Sequence, residues 1–142
     1  MESTDVIARA FAPLYGAPCW LVREGHGSFL TLEIGGSRAI DRGEWHLWIY
    51  CCAWRVTLDG RRVAHSESDS AVIQAACALL DSIQYLDVHR KSGGSSFSFS
   101  SGANLDTRPY GKDDDDTQWI LFCPNGNIVS YKADGSTVLN RE

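Results

Sequence analysis

The stretch from Glu44 to Val56, which reads EWHLWIYCCAWRV, is the most apolar and aromatic run of the chain. In an extended chain, side chains alternate between two faces. One face would carry Trp45, Leu47, Ile49 and Cys51. The other face would carry His46, Trp48, Tyr50, Cys52 and Trp54. Because both faces are largely apolar, the pattern predicts a strand that is covered on both sides, or covered on one side and presented to a partner on the other.

This stretch is longer than an ordinary strand, so we expect a bend or bulge at Cys51 and Cys52. Turn residues divide the chain on either side of it into further short strands. Asp59-Gly60 and Pro124-Asn125-Gly126 predict two hairpins, because two-residue primed turns require positive φ. The alternation from Ser28 to Ile34 predicts another strand, with leucine and isoleucine side chains on its buried face.

Two helices are expected. Ser3 or Thr4 can cap a short N-terminal helix, which must end near Pro13 because the residue before a proline avoids the helical region. Apolar residues at three- and four-residue spacing predict one long helix from Ser70 to about Tyr85, packed on the sheet. The fold class is therefore predicted to be α+β and predominantly antiparallel β.

Four landmarks recur after 65 to 68 residues, which predicts two repeated β-meander halves. The matched pairs are Ser28-Phe29 with Ser96-Phe97, Gly35 with Gly102, Trp54 with Trp119, and Asp59-Gly60 with Asn125-Gly126. The expected organisation is a single domain over residues 1–142. The first meander would span 17–67, the connecting helix 68–86 and the second meander 87–139. We expect the two matched tryptophans to lie in the core.

Composition and charge restrict the function. The formal net charge is −5, from 13 basic and 18 acidic residues, which disfavours binding to nucleic acid or to an anionic membrane surface. The acidic N-terminus, from Met1 to Asp5, lacks the basic start and apolar core of a signal peptide. The expected location is therefore the cytoplasm.

The residue types that carry chemistry are scattered. The five cysteines include no Cys-x-x-Cys pair and lie in apolar segments, so we interpret them as reduced core residues. The four histidines, His26, His46, His65 and His89, show no zinc-site spacing. We expect no metal, no cofactor and no catalytic residue.

The acidic run from Asp113 to Asp116 lies just before Trp119, the second matched tryptophan. It could be a solvated loop, or a patch that docks onto a basic cleft by imitating phosphate. The two meanders differ most here, where the first half has the aromatic stretch and the second has aspartates. The candidate partner-binding residues are therefore Glu44, His46, Trp48, Tyr50, Asp113, Asp114, Asp115 and Asp116.

The segments 27–35 and 44–55, followed by Trp119, Phe122, Pro124 and Gly126, resemble small bacterial proteins of the immunity type. Such proteins neutralise secreted or contact-delivered toxins. The resemblance implies a cytoplasmic inhibitor that occludes the active or substrate-binding site of a basic toxin domain, and it carries no catalytic residue to this chain.

Two alternatives stay open. One is a small-ligand-binding protein or enzyme with a pocket between the two meanders, lined by Glu44, His46 and Tyr50. Such a pocket would be concave and apolar, with a few converging polar groups. The other is a homodimer formed through a sheet edge or the aromatic face.

Overall fold

The computed structural model describes residues 3–25, 29–111 and 116–141. It contains two antiparallel sheets and two short α-helices, which agrees with the predicted class of predominantly antiparallel β with helices. The elements in chain order are α1 (Ser3–Phe11), a 3-10 turn (Ala12–Leu14), β1 (Cys19–Glu24), β2 (Leu30–Ala39), β3 (Arg42–Ile49), β4 (Ala53–Leu58), β5 (Arg61–His65), α2 (Ser70–Cys77), β6 (Ile83–His89), β7 (Gly94–Phe99), β8 (Ala103–Arg108), β9 (Thr117–Phe122), β10 (Asn127–Lys132) and β11 (Thr137–Arg141).

The first sheet has six strands in the order β1-β2-β3-β9-β10-β11, and the second has five in the order β5-β4-β8-β7-β6. The chain leaves the first sheet after β3 and returns to it at β9. The segment that leaves the first sheet is hydrogen-bonded to the segment that re-enters it, since the amide of Cys51 donates to the carbonyl of Thr117 at 3.0 Å. Strands from both ends of the chain therefore meet at the centre of the first sheet.

The stretch from Glu44 to Val56 belongs to both sheets. It runs along β3, bends at residues 50–52 and continues as β4, so the bend expected at Cys51 and Cys52 is present. The bend also shifts the alternation of buried and exposed side chains by one residue. Leu47 and Ile49 are buried before it and Trp54, only 3 % exposed, is buried after it. One continuous strand was therefore the wrong description, and the aromatic run is the point where the chain changes sheets.

The core lies between the two sheets. Trp119 of the first sheet is fully buried, and its indole Nε1 donates to Ser95 Oγ of the second sheet at 3.2 Å. Its ring meets Phe11 of α1 edge-on, with the centroids 5.3 Å apart. Tyr131 stacks on the same indole, and its hydroxyl donates to the carbonyl of Gly94. Both matched tryptophans, Trp54 and Trp119, are core residues as expected.

The short N-terminal helix is confirmed, and the long one is wrong. The second helix ends at Cys77, and the chain from Ile83 onward is β6, which pairs with β7. Leu80 and Ile83 are buried as their spacing suggested, but from a loop and a strand. The backbone hydrogen bonds offered by β7 outweigh the helical pattern at this end.

The predicted duplication is not confirmed. The two matched tryptophans lie in different sheets, Trp54 on β4 and Trp119 on β9. Gly35 is inside β2, whereas Gly102 is in the turn between β7 and β8. Residues 17–67 and 87–139 are therefore both divided between the two sheets.

Both hairpin signals correspond to real turns. Asp59 and Gly60 have φ of 53° and 78° between β4 and β5, the positive values that a two-residue primed turn demands. Gly126, at φ 89°, lies in the turn between β9 and β10. Neither of the helices in the described residues has the length and hydropathy needed to cross a bilayer.

Candidate functional site

The outer face of the first sheet carries a group of half-buried aromatic and aliphatic side chains. Strand register places these residues together, because Trp48 lies opposite Ile120 and His46 lies opposite Phe122 on the paired strands β3 and β9. Their neighbours Leu47 and Ile49 point the other way and are fully buried. We call this surface the aromatic face and define it by Phe29, Trp48, Tyr50, Ile120 and Phe122.

The helices lie elsewhere in the described part of the chain. Phe11 of α1 is buried between the sheets, against Phe97 and Trp119. Helix α2 contacts the edge strands β1 and β5 and buries Ile73, Ala76 and Cys77. Since both helices contribute to the interior, neither covers the aromatic face.

Three rings form a cluster at the end of β3. The centroids of Trp48 and Tyr50 are 4.4 Å apart, and Phe29 lies 4.9 Å from Tyr50 and 6.1 Å from Trp48. All three side chains are partly exposed. Aromatic pairs at these separations stabilise one another, so the three rings form one packed cluster.

The centre of the same face contains a buried carboxylate. Glu33 is only 1 % exposed, and its Oε2 lies 2.5 Å from His46 Nδ1 on the opposite strand. Its other oxygen, Oε1, accepts a hydrogen bond from the amide of Gly43 at 3.0 Å. Glu33 lies on the face of β2 opposite the buried leucines, and His46 and the Gly43 amide contact its carboxylate there. The ring of His46 is fixed in turn, with 17 % of its side chain exposed.

The opposite end of β3 carries fixed charges. Glu44 Oε1 accepts a hydrogen bond from the amide of Gly36 at 2.6 Å. The Arg42 guanidinium lies 5.6 Å from the centroid of the Phe122 ring, within the range of a cation–π contact. Of the predicted binding residues on β3 and just after it, Trp48 and Tyr50 thus form a cluster with Phe29, while Glu44 and His46 are held by neighbours within the fold.

The acidic run is only partly described. Asp113, Asp114 and Asp115 lie outside the described residues, whereas Asp116 precedes β9 and accepts a backbone hydrogen bond from Ala133 through its carbonyl. Thr117 is bonded to Cys51, just beyond Tyr50. The described end of the run is therefore next to the end of β3 where the aromatic cluster lies.

A separate cleft of about 600 Å³ lies on the second sheet. Its walls include three arginines and two histidines: Arg55, Arg62, Arg108, His65 and His89. Glu44, His46 and Tyr50, the residues expected in a pocket, are not among its lining residues. The cleft was missed because residues of five different strands line it, and only strand register brings them together.

Burial disfavours the nucleophilic thiolate form at Cys19, Cys52 and Cys77. Burial raises the pKa of both Cys19 and Cys52 to about 12, which keeps them protonated at neutral pH. Burial likewise raises the pKa of Cys77, to about 11. No disulfide joins cysteines in the described residues. These thiols act as core side chains.

No protein-family model, curated protein or solved structure matches this chain. Function is therefore inferred from the arrangement of its own side chains. The aromatic face offers a partly exposed apolar surface in which Phe29, Trp48 and Tyr50 contact one another.

Proposed function

We propose that this chain is a bacterial, cytoplasmic, immunity-type protein that binds a cognate basic toxin domain through the aromatic face and occludes its active or substrate-binding site. The alternative function from the sequence, a pocket lined by Glu44, His46 and Tyr50, is less well supported. Glu44 and His46 lie on β3 and are hydrogen-bonded within the fold, and Tyr50 follows the strand and packs against Phe29 and Trp48.

The observation that carries the proposal is the cluster of Phe29, Trp48 and Tyr50 on a sheet face that the helices leave uncovered. Contiguous apolar surface on a folded protein usually marks an interaction site. Tryptophan and tyrosine are also the residues that most often dominate binding energy at protein interfaces. The cluster is therefore expected to be the anchor of the interface.

Charge favours a basic partner. The whole chain carries a net charge of −5, and four consecutive aspartates precede β9 in the sequence. Strand β9 pairs with β3, which holds Trp48 and leads into Tyr50. Acidic side chains beside an apolar anchor raise the association rate with a basic surface, and they compete with a phosphate-bearing substrate for the same cleft. Inhibition would follow from coverage of that cleft, with no chemistry performed by this chain.

The test is co-expression with the toxin encoded by the gene adjacent to that of this protein. The wild-type chain should protect cells, and a W48A/Y50A double variant should not. Tyr85→Ala is the matched control, since Tyr85 is a 58 % exposed tyrosine on the second sheet. Protection that survives W48A/Y50A, or no protection by the wild type, would sink the proposal. Light scattering of the isolated chain tests the homodimer alternative.

A further inference from the structure

The lining of the cleft on the second sheet has more arginines than carboxylates, whereas the whole chain is net negative. Its lining contains three arginines and two histidines but only two carboxylates, Glu67 and Asp106, in a protein whose net charge is −5. Arg62, Arg55 and Arg108 come from the adjacent strands β5, β4 and β8. Cationic side chains gathered in a concave space attract anions more strongly than the same side chains scattered over a surface.

Strand register places the three arginines on one face of the sheet. Arg62 lies opposite Thr57 and Arg108 lies opposite Ala53, so the two flank Arg55 on either side along β4. Arg55 lies opposite both His65 and Asp106, and Asp106 lies opposite Ser96. These residues therefore form one row across four strands of the second sheet. Arg108 is two residues beyond Asp106 on the same strand and shares its face. His89, at the end of β6, completes the far wall, so all five strands contribute to the cleft.

Only part of this positive charge is neutralised within the row. Asp106 accepts a hydrogen bond from Ser96 Oγ at 2.6 Å and one from Arg55 Nε at 3.4 Å. Among the described residues, Arg62 and Arg108 have no carboxylate within ion-pair distance. The guanidinium groups of Arg62 and Arg108 can therefore donate hydrogen bonds to a bound anion. Their planar geometry suits the oxygens of phosphate in particular.

We propose that this cleft binds a small phosphorylated molecule, with the phosphate held by Arg62 and Arg108. A phosphate monoester carries close to two negative charges at neutral pH, which matches two arginines better than a single carboxylate does. The volume of about 600 Å³ also exceeds the need of a bare phosphate and lies in the range of small-molecule sites. Pro109 and the half-exposed ring of Tyr110 supply an apolar wall for the organic part.

Phenyl phosphate is the probe, titrated into the full chain and followed by amide chemical shifts. Saturable shifts should appear at residues of the cleft and be absent from the aromatic face. Phenol, which lacks the anion, should cause none of them, and inorganic phosphate, which lacks the ring, should bind more weakly. This result does not depend on the proposed toxin partner, because the two sites are on different sheets.

The matched variants are Arg62→Ala and Arg108→Ala, with Arg61→Ala as control. Arg61 is exposed, adjacent in sequence and absent from the lining of the cleft. Each of the first two should weaken phenyl phosphate binding by about tenfold or more, the effect of losing a charge-assisted hydrogen bond, and R61A should leave it unchanged. Non-saturable shifts in the wild type, or equal weakening by R61A, would overturn the proposal. The wild-type titration decides the matter even if a variant fails to fold.

Discussion

The two sheets present outer surfaces of opposite chemistry. The first sheet shows aromatic rings around a glutamate that is almost fully buried, while the second shows arginines, histidines and serines around a partly exposed aspartate. Each surface contains one carboxylate held by a cationic or ionisable partner on the next strand, Glu33 with His46 and Asp106 with Arg55. The difference between the pairs is burial, so we expect the Glu33–His46 pair to contribute more to stability than the solvent-screened Arg55–Asp106 pair.

The largest effect should come from comparing two tryptophans on paired strands. Trp119→Ala should lower the free energy of unfolding by about 3–5 kcal/mol, because it empties the core between the sheets and removes the hydrogen bond to Ser95. Trp48→Ala should cost only about 1 kcal/mol, since its side chain is already partly exposed. Urea unfolding measures both. Equal losses would mean that the aromatic face is part of the core.

The second effect compares the two carboxylate pairs. His46→Ala should cost about 2–3 kcal/mol, because it leaves Glu33 buried with only the Gly43 amide as a partner. Arg55→Ala should cost less than about 1 kcal/mol, since the Arg55 side chain is 62 % exposed and its pair is screened by solvent.

A double-mutant cycle separates this pair from simple loss of packing. In a Glu33→Gln background the His46→Ala substitution should cost less, because no carboxylate charge remains to be left unpaired. An unchanged cost in that background would show that the ring of His46 stabilises the sheet only through its contact with Phe122.

The smallest effect is expected on the outer surface of the second sheet. Arg62→Ala and Arg108→Ala should each change the free energy of unfolding by no more than about 0.5 kcal/mol, because both side chains are exposed and make no ion pair in the described residues. Thermal unfolding of each variant provides the check. A large loss would mean that these arginines belong to a structural network and not to a binding site.

Local signals in the sequence were sufficient for some features of the fold. The turn at Asp59-Gly60 was predictable because its geometry depends on two residues, and the burial of Leu30 and Leu32 because it depends on strand alternation. The helix end was not predictable, since the spacing of Leu80 and Ile83 fits a helix and only pairing with β7 makes the second a strand residue. The prediction of one strand from Glu44 to Val56 was wrong for a similar reason, because only three-dimensional packing shows that the chain changes sheets there.

The surfaces were harder to predict than the fold. Trp48 and Tyr50 could be selected from the aromatic run, but Phe29 and Phe122 join them only through the pairing of β3 with β2 and β9. The burial of Glu33 depends on its register with His46. The basic cleft depends on five strands at once, so neither Arg62 nor Arg108 carried a recognisable signal in the sequence.

Calorimetric titration of the purified chain with the toxin domain encoded by the adjacent gene tests the central proposal most directly. We predict tight binding that Trp48→Ala weakens by about a hundredfold, as for an interface anchor, and that Tyr85→Ala leaves unchanged. Binding unaffected by Trp48→Ala, no binding at all, or the absence of any toxin gene at that position would contradict an immunity function exerted through the aromatic face.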